Sequence, residues 1–391
     1  MTIHSLRSPA LLAAAAVLAG VGLLAVPAAA TVETVQASAV VETRDPLVWP
    51  FARDSIWNTP IGSGARYVPA ELGPANEASS RRVTVDPEHI SVDPSAPVRT
   101  LSVPGQAGDG ARVRVTSELA HGGSWNGCST LLTEDGRSVW SGQPLVLTPG
   151  GSPTWRWTTQ KTPSDLRGDG VQGCHGGSRM SGLGGSLRLG ELSGAAPLRH
   201  ALKVNLYCEK YCYRGVSQAD SKRWPAFTSD AYWATRYNGT VKELKMGALL
   251  ALPPSTDLGG ITHPKVRKLA AAFRDYGAYL VDDTAWDVHA VDMDAKVGKA
   301  EWPAGADTAF HAQLQTVFQM LSVVDNNSPT SIGGGGTPRA PLAPCFTGDT
   351  TCLNAAAPTA TVRRTAKAAA PRRSRMAGPH RVHAAGASRA Q

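Results

Sequence analysis

Polar and apolar positions alternate in short runs along most of residues 45–260, and clusters of Gly, Pro, Asp and Ser separate the runs. Such a pattern predicts strands joined by turns. Arg112-Val-Arg-Val-Thr-Ser alternates directly, Leu187-Arg-Leu is a shorter case, and His200-Ala-Leu-Lys-Val-Asn-Leu-Tyr207 would place Ala201, Lys203, Asn205 and Tyr207 on one face. Regular short strands rich in glycine imply a mainly β fold, a single β-sandwich or jelly-roll-like domain. The period changes late in the chain. Pro264 to Tyr276 aligns Val266, Leu269, Ala270 and Phe273 and stops at Gly277, while Asp307 to Val323 aligns Phe310, Leu314, Val317, Phe318 and Leu321. Two short C-terminal helices are expected there. Between them an apolar strand, Ala278-Tyr-Leu-Val281, runs into Asp282-Asp283.

The two ends of the chain read differently. Residues 1–30 hold a short polar stretch with His4 and Arg7, an apolar run from Ala10 to Val26, and Pro27-Ala-Ala-Ala30. This is the pattern of a cleaved secretory signal peptide, with an amino-terminal membrane anchor as the alternative, so the protein is expected to be secreted, in part held at the cell wall. After Asn327, nine basic residues stand against Asp349 alone and account for the whole formal charge of +8. The folded part, expected over residues 31–327, is therefore electrically balanced, and no specific nucleic-acid partner follows from the charge. Residues 328–391, rich in Ala, Pro and Arg, read as a disordered basic tail able to contact anionic wall polymers or lipid head groups.

Six cysteines in an exported chain suggest disulfides. Cys345 and Cys352 flank a turn-forming Gly348-Asp349 and should close a small loop. Cys208 and Cys212 would lie about 13 Å apart in a strand, so they pair only if the chain turns between them. Cys128 is then left with Cys174.

That pairing would bring two repeated boxes, His121-Gly-Gly-Ser124 and His175-Gly-Gly-Ser178, to one edge of the domain. Paired glycines expose backbone amides to a ligand, and histidine exchanges protons near neutrality. Each box is equally readable as a tight turn with a capping histidine. Glycoside hydrolysis needs two carboxyl groups across the scissile bond, and Asp169, Glu191, Asp282 and Asp283 are the candidate acids and bases, with His121 and His175 assisting. Trp125, Asn126, Ser178, Arg188, Lys203 and Tyr207 are candidate substrate-binding residues, and Trp155 with Trp157 would form one aromatic face for sugar rings. No Gly-x-Ser-x-Gly elbow, Walker loop, dinucleotide fingerprint or His-Glu-x-x-His occurs, so no cofactor and no metal are expected.

Asp54-Ser-Ile-Trp-Asn-Thr-Pro-Ile61, the block from Gly173 to Leu192, His200-Ala-Leu-Lys203 and Tyr276-Gly-Ala-Tyr-Leu-Val-Asp-Asp-Thr-Ala-Trp286 resemble a largely uncharacterised family of secreted bacterial β-rich proteins. The likeness covers roughly residues 50–295 and implies an exported, mostly β domain associated with surface or polysaccharide functions. It carries no residue roles. Cys174, Cys208, Cys212 and the tail stand outside the common pattern. Together these readings lead to a secreted carbohydrate-active enzyme, a glycoside hydrolase acting on a polysaccharide or cell-wall polymer. The alternatives are a β-sandwich polysaccharide lyase and a noncatalytic polysaccharide-binding protein.

Overall fold

The computed structural model describes residues 42–75, 82–119 and 127–356. Its strands are β1 (Thr43–Arg44), β2 (Tyr67–Pro69), β3 (Thr84–Ser91), β4 (Val98–Thr100), β5 (Arg112–Arg114), β6 (Ser129–Leu132), β7 (Ser138–Leu147), β8 (Pro153–Trp157), β9 (Ser164–Asp165), β10 (Leu202–Leu206), β11 (Leu249–Ala251), β12 (Ala278–Asp283), β13 (His289–Asp294), β14 (Ser322–Val324) and β15 (Cys345–Phe346). The helices are α1 (Cys208–Tyr211), α2 (Trp233–Arg236), α3 (Pro264–Asp275), α4 (Ala295–Ala300), α5 (Thr308–Gln319) and α6 (Thr350–Ala356). The fold is mainly β. The two expected helices coincide with α3 and α5, but they are two of six among the described residues.

One mixed sheet of eleven strands dominates, in the order β2-β14-β11-β12-β10-β13-β3-β6-β7-β8, with β9 against β7. A jelly roll of two packed antiparallel sheets is not what forms. The reason lies in the centre, where β10 pairs parallel with β12 and β13 parallel with β3. Parallel neighbours need long crossovers; the chain between β10 and β12 supplies one, carrying α1, α2, β11 and α3.

Such central strands are covered on both faces and lose the half-exposed character that their alternation suggests. Every residue of β10 and of β13 is buried. On one face of β13, His289 stacks on Phe318 of α5 at 4.9 Å, and Phe318 meets Phe273 of α3 edge-on at 5.7 Å. The opposite face carries Asp292 on β13, Lys203 and Asn205 on β10, and Asp86 and Glu88 on β3. That polar face, sealed under residues 173–188, positions the site.

All three expected disulfides form: Cys128–Cys174, Cys208–Cys212 across α1, and Cys345–Cys352. They fit a secreted protein, and no described helix is long and apolar enough to cross a membrane. The expected boundary at residue 327 moves outward. Beyond it β15 pairs with β1, Asn327 Oδ1 accepts from Gly333 N–H, and α6 carries Cys352, so this part of the tail belongs to the fold because it closes on the start of the domain. The expected signal peptide and residues 357–391 lie outside the described residues.

Candidate functional site

The floor of the site is built by register. Asp86 and Asp292 face each other across β3 and β13, and Asn205 stands opposite Asp282 across β10 and β12. The Cys128–Cys174 bridge, with Cα atoms 5.4 Å apart, ties the chain before His175 to the start of β6. His175 thereby drops onto the acids. Its Nε2 lies 2.7 Å from Glu88 Oε1 and 3.6 Å from Asp292 Oδ1, and its Nδ1 lies 3.8 Å from Asp282 Oδ2. Lys203 Nζ donates to Glu88 Oε1 at 2.9 Å and to Ser181 O at 2.8 Å, and sits 2.8 Å from His175 Nε2.

Burial governs the protonation of this layer. Burial and Lys203 push the His175 imidazole down, but Glu88 and Asp282 outweigh them and raise it to about 10. The acids thus hold the imidazole towards its protonated form, while the Lys203 ammonium 2.8 Å from Nε2 opposes a second cation there. Burial works against the Glu88 carboxylate, yet Lys203 and His175 hold it below its ordinary value. Burial lifts Asp292 to about 7, and burial with the facing Asp292 lifts Asp86 well above the carboxylate range. Glu88, Cys128 and His175 come close enough together to suggest a metal cradle. The Cys128 sulfur is already bonded to Cys174, and the Lys203 ammonium stands 2.9 Å from Glu88 Oε1 and 2.8 Å from His175 Nε2, so that donor set does not suit a metal.

At the rim the chemistry changes. Asp282 accepts from the N–H groups of Gly176 at 3.0 Å, Gly177 at 3.0 Å and Asp283 at 2.9 Å. Asp230, at the entry to α2, accepts from the Tyr237 hydroxyl at 2.5 Å. A Cβ placed on Gly177 would stand 3.0 Å from both Asp230 Oδ2 and Asp282 Oδ1, which puts the two oxygens no more than about 6 Å apart. Burial, and then the nearby Asp282 charge, raise Asp230 to about 7. Asp283 accepts from Cys208 N–H at 2.8 Å and the Tyr232 hydroxyl at 3.1 Å, and burial lifts it to about 6.

Aromatic side chains surround this rim. Among the described residues, those left more than a third exposed are Trp286 at 53%, Phe227 at 47% and Tyr232 at 41%. Phe227 is tethered by its N–H to Ser178 O at 3.0 Å, Tyr232 to Asp283, and Trp286 follows Asp283 by three residues.

Of the residues singled out from sequence, His175, Lys203, Asp282 and Asp283 come together. Ser178 is buried, with its Oγ accepting from Met180 N–H. Glu191 is elsewhere: burial would raise it, but Arg188 and His200 hold it at about 2, so it is a structural anion and Arg188 its partner. Asp169 is exposed and accepts only from Val171 N–H at 3.2 Å, the geometry of a turn. Tyr207 donates to Glu209. The expected Trp155–Trp157 platform fails because Trp155 is buried, donating to Ser129 Oγ at 2.6 Å. Lys203 is wholly buried rather than displayed on a half-exposed strand. His121, Trp125 and Asn126 lie outside the described residues.

Asp86, Glu88, Asp230, Asp292, Tyr232 and Tyr237 were not singled out. For the first, second and fourth a signal exists: Asp86/Glu88 and Asp292/Asp294 place acids two apart within strands, which lines one face with carboxylates. Compared with protein-family models, curated proteins and solved structures, the chain finds no match.

Proposed function

We propose that the protein is a secreted carbohydrate-active enzyme, a glycoside hydrolase in which Asp230 is the general acid and Asp282 the opposing carboxylate. The observation that carries this reading is a pair of carboxyl groups in unlike environments whose nearer oxygens, Asp230 Oδ2 and Asp282 Oδ1, lie no more than about 6 Å apart. One, Asp230, is raised to about 7 and holds its proton at mildly acid pH. The other, Asp282, accepts three N–H groups. A protonated acid beside a carboxylate is what glycosidic cleavage needs, and a separation near 5–5.5 Å belongs to retaining enzymes, against about 6.5–9.5 Å for inverting ones. Tyr237 donates to Oδ2 of Asp230 and the Tyr232 hydroxyl also hydrogen-bonds this carboxyl group, and in this reading the two hold Asp230 as it delivers its proton to the leaving oxygen. Asp282 then attacks the anomeric carbon, and water releases the sugar with Asp230 acting as base. Phe227, Tyr232 and Trp286 would stack on the sugar rings, whose apolar faces suit aromatic surfaces.

Elimination has weaker support. A lyase needs an accessible, neutral His or a readily ionised Tyr as base, whereas His175 is buried with its imidazole raised by Glu88 and Asp282, and burial pushes Tyr232 and Tyr237 above the ordinary phenol range. A noncatalytic binding protein would use the same aromatic rim. Incubation with a panel of wall and plant polysaccharides, read by mass spectrometry, separates the three. Hydrated oligosaccharides are the expected products, unsaturated ones would indicate a lyase, and retention without products would indicate binding alone.

A further inference from the structure

Beside Gly176 opens a cavity of about 430 Å³ walled by Trp157, Thr158, Thr159, Lys161 and Arg179. Its size falls in the roughly 300–1,000 Å³ range of small-ligand sites. Gly176, which also lines the cavity, is the residue whose N–H holds Asp282 Oδ2 at 3.0 Å, so an occupant would lie one residue from the Asp282 end of the proposed hydrolytic pair. A larger cavity of about 490 Å³, among Arg44, Arg53, Arg167, Asp54 and Asp349, shares no lining residue with the carboxylates.

The walls have a definite chemistry. Lys161 and Arg179 are exposed, and among the described residues neither side chain has a hydrogen-bond or ion-pair partner. Arg179 is also one of the few non-glycine residues in the left-handed region, with φ 58°. That conformation costs on the order of 1 kcal/mol and persists where the surroundings enforce it. Here the turn enforces it: Arg179 N–H donates to His175 O at 2.9 Å, and Gly173 N–H donates to Arg179 O at 2.9 Å. The hydroxyl protons of Thr158 and Thr159 are spent on Ser141 O and Gly173 O at 2.6 Å each; Thr158 Oγ1 also accepts from Gln160 N–H at 3.2 Å, which leaves it one lone pair and Thr159 Oγ1 two. Trp157, half-buried, supplies an apolar surface.

We infer that this cavity is a subsite for an acidic sugar, a uronic acid residue whose carboxylate is held by Arg179 and Lys161 while its ring lies against Trp157 and its hydroxyls donate to Thr158 and Thr159. The inference rests on the reading of Asp230 and Asp282 as the hydrolytic pair, and it makes the substrate an anionic polysaccharide. A guanidinium matches a carboxylate in two parallel bonds, and the neighbouring ammonium adds a second charge.

The test measures binding without turnover. The full chain is run by affinity electrophoresis through gels containing polygalacturonate, alginate or hyaluronan, each against its carboxyl-reduced form. The variants are K161Q/R179G, which removes both charges and relaxes the left-handed residue, and K161R/R179K, which keeps them. The basic C-terminal segment is common to all and cancels in the comparison. At least one acidic polymer should retard the protein, the reduced polymer should not, and K161Q/R179G should weaken retardation about tenfold or more while K161R/R179K keeps most of it. Equal retardation by reduced polymers, retardation by none of the three, or unchanged retardation of K161Q/R179G would overturn the subsite. Hydrolysis of a neutral polymer unaffected by K161Q/R179G would remove the acidic sugar and leave the hydrolytic pair standing. Failure of hydrolysis alongside charge-dependent retardation would do the reverse.

Discussion

Asp230 Oδ2 and Asp282 Oδ1 both stand 3.0 Å from the point where a Cβ would sit on Gly177, so a methyl group there would press on both carboxylates. Gly177→Ala is therefore expected to part the two carboxylates. Met246 Cε, 2.7 Å from the same point, is the end of a flexible side chain and can move aside. On the hydrolytic reading this variant keeps its circular dichroism spectrum and loses about 10²-fold in kcat, since small displacements of reacting groups cost that much.

The same closeness sets the stereochemistry. A gap of no more than about 6 Å between Asp230 Oδ2 and Asp282 Oδ1 is shorter than the roughly 6.5–9.5 Å that admits a water between acid and base. Hydrolysis should proceed with retention of anomeric configuration, observed by proton NMR within the first turnovers. Inversion would mean that a different pair does the chemistry.

Asp230, raised to about 7, has to be protonated to act as the acid. The kcat/KM profile should fall on the alkaline side with a midpoint near that value. Asp230→Asn should lose about 10³-fold on polysaccharide. It should lose far less on aryl glycosides, whose leaving groups need no proton, and its residual activity should lack the alkaline limb.

Stability should also fall with rising pH. Asp292 at about 7 and Asp283 at about 6 are raised above their unfolded values near 3.9. Each binds more protons folded than unfolded, so its contribution is full below about pH 4 and is lost as pH rises through the folded value. His175, raised to about 10, adds stability that is full below about 6.5 and lost towards 10. Glu191, lowered to about 2, acts only at the acid end, where its contribution disappears as pH falls from about 4.5. Thermal unfolding should therefore show greatest stability at mildly acid pH. Asp292→Asn should raise Tm at pH 8 by several degrees and leave it nearly unchanged at pH 4.

The Cys128–Cys174 bridge spans 46 residues and anchors the chain just before His175. Chain-entropy arguments put the loss on replacing both with Ser at about 4 kcal/mol. Calorimetry should read that as a Tm lower by roughly 8–16 °C.

Local features were legible in the sequence and long-range ones were not. Pro264 and Gly277 bracket α3 as expected, Gly348 lets Cys345 reach Cys352, and the turn between Cys208 and Cys212 was recognisable as a condition for their bridge. The parallel pairing of Ala290 with Thr84 joins strands some two hundred residues apart, and no local periodicity specifies it. Lys203 and Asn205, which alternation alone places on a half-exposed face, are buried because β10 lies inside the sheet, with residues 173–188 over that face. Asp282 and Asp283 were visible because an apolar strand ends in them. Asp230 was not, because what distinguishes it is its burial and then the neighbouring charge of Asp282, both of which only the folded chain supplies.

The most direct test is hydrolysis of the retained polysaccharide in H₂¹⁸O, with products weighed for the wild type, Asp230→Asn and Asp282→Asn. The wild type should add one ¹⁸O per new reducing end, and both variants should release about 10³-fold less labelled product while keeping the wild-type Tm at pH 5 to within a few degrees. Unlabelled unsaturated products, or labelled release undiminished in either variant, would contradict the assignment of Asp230 and Asp282.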